Sequence, residues 1–291
     1  MTKHSSGSKQ RRPRTIRTLN ALKATHAIWR ARRDKIALVP TMGALHAGHI
    51  SLVRLAQRRA DRVIVSIFVN PSQFAPGEDL NAYPRTFAAD VAALADLQAD
   101  LIWAPAVETM YPPGFASRVV PEGPATVGLE DAYRPHFFAG VATVVAKLLI
   151  QCEPDIAVFG EKDYQQLKVV TQLARDLDLK SRIIGAPIVR EADGLALSSR
   201  NRYLSPAERA AAPVLYQVLT ACAAEVAAGK AITGVLEKGR TTITNAGFVV
   251  DYLEVRDAKT LAPVTSAKRD PIRLLVAARL GKTRLIDNVA V

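Results

Sequence analysis

His46 and His49 stand three residues apart in the stretch Val39-Pro40-Thr41-Met42-Gly43-Ala44-Leu45-His46-Ala47-Gly48-His49. An apolar run, Ile36–Val39, precedes them and an amphipathic segment, Ile50–Arg59, follows. The spacing predicts a strand, a glycine-containing turn, and a helix whose first turn carries both imidazoles. That end of a helix has unpaired N–H groups and the positive pole of the helix dipole, so it favours an anion. Donor or cationic side chains there suit the phosphates of a nucleotide. Two histidines on one helix face could instead hold a metal. No further Cys or His cluster supplies ligands, so no metal site is assigned.

Three later segments carry polar groups of a matching kind. Ser66-Ile67-Phe68-Val69-Asn70-Pro71-Ser72-Gln73-Phe74 offers two amides. Phe159-Gly160-Glu161-Lys162-Asp163-Tyr164-Gln165-Gln166-Leu167 offers a cation, carboxylates and amides. Asp193-Gly194-Leu195-Ala196-Leu197-Ser198-Ser199-Arg200-Asn201 offers hydroxyls and a guanidinium after an evident turn. Each residue has a plain alternative: Lys162 as a surface lysine paired with Glu161 or Asp163, Gln73 or Gln166 as an exposed amide, Ser198 and Ser199 as turn residues. Phe68, Val141 and Val189 alone would be core.

The elements that must position these groups alternate. Apolar runs at Ile36–Val39, Arg62–Val69, Leu101–Trp103, Asp155–Phe159 and Ile183–Gly185 read as strands. Helical periodicity lies between them at Ile50–Arg59, Phe87–Leu97, Val141–Ile150 and Tyr164–Leu177. Strands separated by helices predict parallel βαβ units, hence an α/β fold with a Rossmann-like, doubly wound sheet. Such sheets bind ligands beyond the carboxyl ends of their strands, where the motif residues fall. Thr15–Arg33 reads as the first helix, and Thr109–Gly128 as Pro- and Gly-rich loop.

Near Pro187 the pattern changes. Ser205-Pro206-Ala207-Glu208 has the residues of a helix start, and one Ala-rich helix is expected from there to about Ala228, ended by Gly229. A shorter helix near Ile232–Ile243 and two strands, Phe248–Val255 and Ile272–Ala278, complete a smaller α+β unit. The expected division is a basic tail over residues 1–14, a Rossmann-like domain over 15–187, and a C-terminal α+β domain over 188–291.

Composition excludes several classes. The chain has 291 residues, 49% hydrophobic, as in an ordinary globular protein. No segment approaches the roughly 18–20 uncharged apolar residues of a membrane span. The start lacks the apolar stretch of a secretory signal. Cys152 and Cys222 are too few for a disulfide framework, which fits a reducing, cytoplasmic setting. The net charge of +12 resembles a nucleic-acid footprint until it is mapped. Ten Lys and Arg precede Asp34, the first acidic residue, so the remainder carries only +2. Residues 1–14, basic and without periodicity, read as a solvated tail.

The His-x-x-His arrangement resembles that of the nucleotidylyl-transfer superfamily. With the three later segments in register, the chain from about Thr15 to Asn288 resembles the pantoate–β-alanine ligase family. The resemblance implies that ATP activates pantoate as an acyl adenylate, that β-alanine then takes the acyl group, and that Mg²⁺ accompanies the phosphates. His46, His49, Lys162 and Arg200 match the family's catalytic residues. Met42, Gly160, Asp163, Val189, Ser198 and Ser199 match ATP-binding positions. Gln73, Gln166, Asn70, Phe68 and Val141 match the pantoate pocket. The family also implies a cytoplasmic homodimer with small-molecule substrates, no membrane and no nucleic acid.

Two positions depart from the family pattern. The loop usually reads Arg-Pro-x-His-Phe-x-Gly-Val and here is Arg134-Pro135-His136-Phe137-Phe138-Ala139-Gly140-Val141, with phenylalanine at the expected histidine. Leu197 stands where methionine is common, a volume-conserving change. Two other readings are distinguishable. A related adenylyltransferase acting on a phosphorylated acceptor would need a basic acceptor pocket, where Gln73 and Gln166 supply amides. A nucleic-acid binder would show steeply salt-dependent binding that vanishes without residues 1–33.

Overall fold

The computed structural model describes residues 12–75, 80, 82–264 and 271–291. Six parallel strands form the first sheet: β1 (Arg14–Ile16), β2 (Ile36–Thr41), β3 (Arg62–Ile67), β4 (Leu101–Trp103), β5 (Ile156–Gly160) and β6 (Arg182–Ala186). Their order is β1-β4-β3-β2-β5-β6. The chain builds outward from β2 through β3 to β4, then returns to the other side of β2 for β5 and β6. The reversal lies between β2 and β5, the point at which such sheets open a crevice beyond their carboxyl ends.

Alternation along the strands explains why both faces are covered. Ile36 and Leu38 enter one apolar cluster with Ile64, Leu101 and Trp103, while Ala37 and Val39 enter another with Val63, Val65 and Ile102. A parallel sheet buried on both sides reads as near-continuous apolar runs, which is how these strands are visible in the sequence. The helices of this part are α1 (Leu19–Ala31), α2 (Ala47–Gln57), α3 (Phe87–Asp96), the short α4 (Val107–Met110) and α5 (Glu130–Tyr133), α6 (Phe137–Cys152) and α7 (Tyr164–Asp176).

The second sheet is antiparallel: β7 (Phe248–Asp257), β8 (Ile272–Leu280) and β9 (Thr283–Ala290). It packs with α8 (Pro206–Ala211), α9 (Val214–Ala227) and α10 (Ile232–Asn245) around a third cluster containing Leu215, Leu219, Val226, Leu253, Leu274 and Val276.

Three expectations are corrected. The first element is not a helix from Thr15. Arg14–Ile16 pairs with Leu101–Trp103, and α1 starts at Leu19 with Thr18 as its cap. Pro13 is buried, so the 14/15 boundary drawn for the tail falls inside a strand, and residues 1–11 lie outside the described residues. Second, the Ala-rich helix is two helices. The capping box at Ser205 and Glu208 is present, but the ladder breaks at Ala212–Pro213, where proline has no N–H to donate. The run Pro206–Ala227 is long and apolar enough to cross a bilayer by length and composition. Its break and the packing of Leu215, Val218, Leu219 and Val226 in the third cluster account for that apolarity as core. Third, β9 had no counterpart in the sequence reading. Arg284, Asp287 and Asn288 interrupt its apolar pattern, and Asp and Asn are depleted in strands.

Candidate active site

A cleft of about 660 Å³ opens at the carboxyl ends of β2 and β5. Every site residue proposed from the sequence lines it: Met42, His46 and His49 after β2; Phe68, Asn70 and Gln73 after β3; Val141 on α6; Gly160, Lys162, Asp163 and Gln166 at β5 and α7; Val189, Ser198, Ser199 and Arg200 after β6. Residues up to 158 apart in sequence thus share one surface.

His46 is not on the helical turn but one residue before it, as the extended N-cap of α2. Its Nδ1 accepts the Gly48 N–H at 3.1 Å, and His49 Nδ1 accepts the His46 N–H at 3.3 Å. The pair is a reciprocal capping box made of two imidazoles in place of Ser and Glu. A ring nitrogen that accepts is unprotonated, so these bonds assign the proton of each neutral ring to Nε2. Burial lowers the pKa of His46 to about 4, helped by the charges of Lys162 and Arg202. Burial, then His46 and Lys162, lower that of His49 to about 3. At neutral pH both rings are therefore uncharged donors, not cations.

The turn that aims them is fixed from α3. Gly43 has φ +81°, a left-handed conformation that favours glycine. Asp90, 3% exposed, accepts from Ala44 N at 3.1 Å and Leu45 N at 2.8 Å, and Thr86 Oγ1 donates to it. Asp90 escaped the sequence reading because nothing in Ala88-Ala89-Asp90-Val91 marks it as more than a solvated helix residue.

Gln73 sits on a single 3₁₀ turn, Pro71–Gln73, capped by Asn70. Asn70, 1% exposed, donates to Gln73 Oε1 at 3.1 Å and to the Gly140 carbonyl at 3.2 Å. A Cβ on Gly140 would lie 2.3 Å from the Ser72 carbonyl oxygen, so only glycine lets α6 approach this turn. Phe68 and Val141, both buried, supply apolar wall.

Lys162 lies on another 3₁₀ turn, Glu161–Asp163, between β5 and α7. The pairing with Glu161 or Asp163 considered from the sequence is not formed. Glu161 binds Arg273 at 3.0 Å, and among the described residues Lys162 has no ion-pair partner. The adjacent glutamines divide in role. Gln165, 3% exposed, is committed to Glu130 N, the Pro124 carbonyl and Asp131, whereas Gln166 is partly exposed on the cleft. Asp163 is exposed at its edge.

Val189 is not at a strand end but three residues beyond β6, where its carbonyl accepts the Leu197 N–H at 3.0 Å. The bridge Arg190–Ala196 closes this hairpin and leads into Ser198, whose Oγ accepts the Arg200 N–H at 3.3 Å. Ser199 is buried, with its hydroxyl 3.4 Å from Tyr83. In the irregular loop, His136 is exposed and lies outside the cleft lining. Phe137 lines the cleft under the Arg134 guanidinium, 3.8 Å from its ring centroid, and Arg134 also donates to the Gln73 carbonyl.

The sequence profile described as Pantoate-beta-alanine ligase matches residues 14–290. The chain belongs to this family. It is 63% identical over 281 residues to the pantothenate synthetase of Rhodopseudomonas palustris (strain ATCC BAA-98 / CGA009), covering 97% of this chain and 99% of that one. Among solved structures, pantoate–β-alanine ligases again superpose. That of Thermus thermophilus has a TM-score of 0.90 and 47% identity, covering 95% of this chain and 98% of the other. The Francisella tularensis ligase, complexed with β-γ ATP and β-alanine, has a TM-score of 0.80 and 35% identity, covering 96% and 97%. The doubly wound parallel sheet with a small antiparallel sheet is thus the architecture of pantoate–β-alanine ligases.

Proposed function

We infer that the family's reaction, the ATP-dependent joining of pantoate and β-alanine, is this chain's own, and that it runs through a pantoyl adenylate. Pantoate's carboxylate is ionised at neutral pH and needs no protein base. Its oxygen attacks the α-phosphorus of ATP, and the bond to pyrophosphate breaks. The β-alanine amine then attacks the acyl carbon, releasing AMP and a proton and forming the amide. The first step requires alignment and neutralisation of phosphate charge.

One observation carries this reading: the loops after β2 and β5, on either side of the strand-order reversal, deliver two neutral donors and a lysine to the same cleft. In this reading His46 and His49 donate Nε2–H to phosphate oxygens without competing for a proton. Lys162 meets the charge that develops on them. Arg200, Ser198 and Ser199 hold phosphates from the opposite loop, and Asp163 accepts from the ribose hydroxyls. Met42, Gly160 and Val189 border the nucleotide. Gln73 and Gln166 bind pantoate's carboxylate and hydroxyl through amides, with Asn70 fixing Gln73 and with Phe68 and Val141 against the geminal methyls. The Rossmann-like part, which includes β1 and runs to about residue 187, supplies most of the nucleotide and pantoate contacts, and residues 188–291 add the Val189 and Ser198–Arg200 loop.

Among the described residues no three His, Cys, Asp or Glu side chains cluster as a metal cage. Mg²⁺ would be carried on the ATP phosphates, where it would supply further charge neutralisation. A cytoplasmic homodimer completes the reading, the assembly being checked by light scattering.

AMP release in a substrate panel tests the function. ATP, pantoate and β-alanine together should be productive, and omission of any one should not be. Pantoate alone should drive exchange of labelled pyrophosphate into ATP. Exchange that requires the amine would overturn the adenylate.

A further inference from the structure

The catalytic lysine turn is gripped by a strand that is distant in sequence. Asn288 on β9 is 2% exposed. Its Nδ2 donates to the carbonyls of Glu161, at 2.9 Å, and Lys162, at 3.0 Å. Its Oδ1 accepts from Arg273 Nε at 2.7 Å. Arg273 in turn binds Glu161 and lies 4.0 Å from the centroid of the Tyr164 ring. One amide thus holds the backbone on both sides of the peptide that carries Lys162, and its neighbour holds the flanking side chains.

The preceding residue grips the other loop. Asp287, 5% exposed, takes both guanidinium nitrogens of Arg190, at 2.6 and 2.9 Å. Arg190 also donates to the Gly194 carbonyl at 3.0 Å, and it pairs with Ala196 two residues before Ser198. Successive strand residues point to opposite faces. Asp287 and Asn288 therefore reach two loops from one point of β9.

We propose that Asp287 and Asn288 are positioning residues that set the Lys162 turn and the Ser198–Arg200 loop in register across the cleft, Asn288 acting through Lys162 and Asp287 through Arg190. The inference rests on the reading of Lys162 given above. A lysine on a three-residue turn has a flexible stem, so the position of its backbone decides where Nζ can reach. Misplacement by about 1 Å is enough to cost ~10²-fold in rate.

A double-mutant cycle on pantoate-dependent pyrophosphate exchange, with the full chain, tests this. Asn288→Ala should lower kcat by ~10–100-fold. KM for pantoate should stay within about threefold, because the pantoate contacts are elsewhere. In a Lys162→Ala background the same substitution should cost less than about twofold, since the group it positions is gone. Asp287→Asn, which can still accept the Asn288 N–H through its amide oxygen, should keep most of its own cost in that background, because the charge pair that it weakens is with Arg190 of the other loop. Where Asn288→Ala does not fold, Asn288→Ser, which keeps one donor, is put through the same cycle. An Asn288 variant within about twofold of the parent, or one that loses its full factor without Lys162, overturns the proposal while leaving the lysine's role intact. Loss of Asp287→Asn's cost in the Lys162→Ala background overturns the two-path assignment. Parental exchange in Lys162→Ala alone would remove the lysine reading and, with it, this one.

Discussion

Lys162 and Arg284 both line the cleft, yet they belong to it differently. Lys162 leaves the carboxyl end of a parallel strand and has no ion-pair partner among the described residues. Arg284, on the antiparallel sheet, is bound to Glu130 at 2.8 Å and to Asp251 at 2.6 Å, and Tyr252 donates to the same Glu130 at 2.9 Å. Asp287 and Asn288 are likewise spent on Arg190 and on two loop carbonyls. In the proposed function the loops of the parallel sheet present groups to ligands, whereas Arg284, Asp287 and Asn288 of the antiparallel sheet are bound to protein groups. Reactivity and its rigidity therefore come from different elements, and substitutions on the two should fail in different assays.

The largest effect is expected on stability. Arg284→Met leaves the buried Glu130 carboxylate without its cation and Asp251 with only the longer pair to Arg279, at 3.6 Å. Breaking a buried ion pair from one side costs ~3–5 kcal/mol, which urea denaturation would read. A variant as stable as the parent would show that the antiparallel sheet does not brace the cleft.

Lys162→Ala should do the opposite: turnover lower by ~10²–10³-fold, the scale for one well-placed transition-state contact, at an unchanged melting temperature. Loss of stability with modest loss of rate would move Lys162 into the bracing class.

Gln73→Ala and Gln166→Ala should each cost ~1–3 kcal/mol in the use of pantoate, as lost hydrogen bonds to a buried ligand do. Equal weakening of ATP and pantoate would mean that the two amides belong to a different subsite.

The histidines sharpen the comparison through pH. Their folded pKa values, about 4 for His46 and about 3 for His49, lie below the ordinary 6.5. Between those values the unfolded chain binds more protons than the folded one, so stability falls as pH drops below about 6.5. At pH 5.5 the cost is on the order of 1 kcal/mol for His49, and less for the more exposed His46, where water screens the charge. His49→Asn, which can keep an acceptor for the His46 N–H, should flatten the melting-temperature profile between pH 7 and 5.5. A parental slope in that variant would mean that the ring is not held neutral.

The smallest effect is expected at His136. It is exposed and outside the cleft, while Phe137 packs under Arg134. His136→Ala should keep activity within about tenfold, ~1.4 kcal/mol of barrier at most. A hundredfold loss with the fold intact would show that this loop brings His136 to the substrate.

The four motif strings were legible because each is local. A strand end, a turn and a helix start lie within about ten residues, and polar groups at such ends have few structural duties that would place them there. The same locality revealed the Ser205 helix start and the five strands β2 to β6. Pro213 was equally visible, but its break was outweighed by the run of alanines around it. β1 was hidden because Arg14 and Thr15 are polar and exposed on an edge strand, whereas β4, equally short, is apolar and buried throughout.

The sequence by itself determined the alternation of β2 to β6 with their helices, the family, and the motif residues that line the cleft, since periodicity and local motifs are written in neighbouring positions. Only the tertiary structure decided which of two adjacent glutamines is structural, that the paired histidines cap their own helix as neutral rings, and that Asp90 and Asn288 hold the loops of others. The roles of Gln165, Asp90 and Asn288 depend on what a side chain meets from 35 to 127 residues away, and the neutrality of the histidines depends on burial and on Lys162. Hydrogen bonding and burial are set by that meeting, and no pattern along the chain records it.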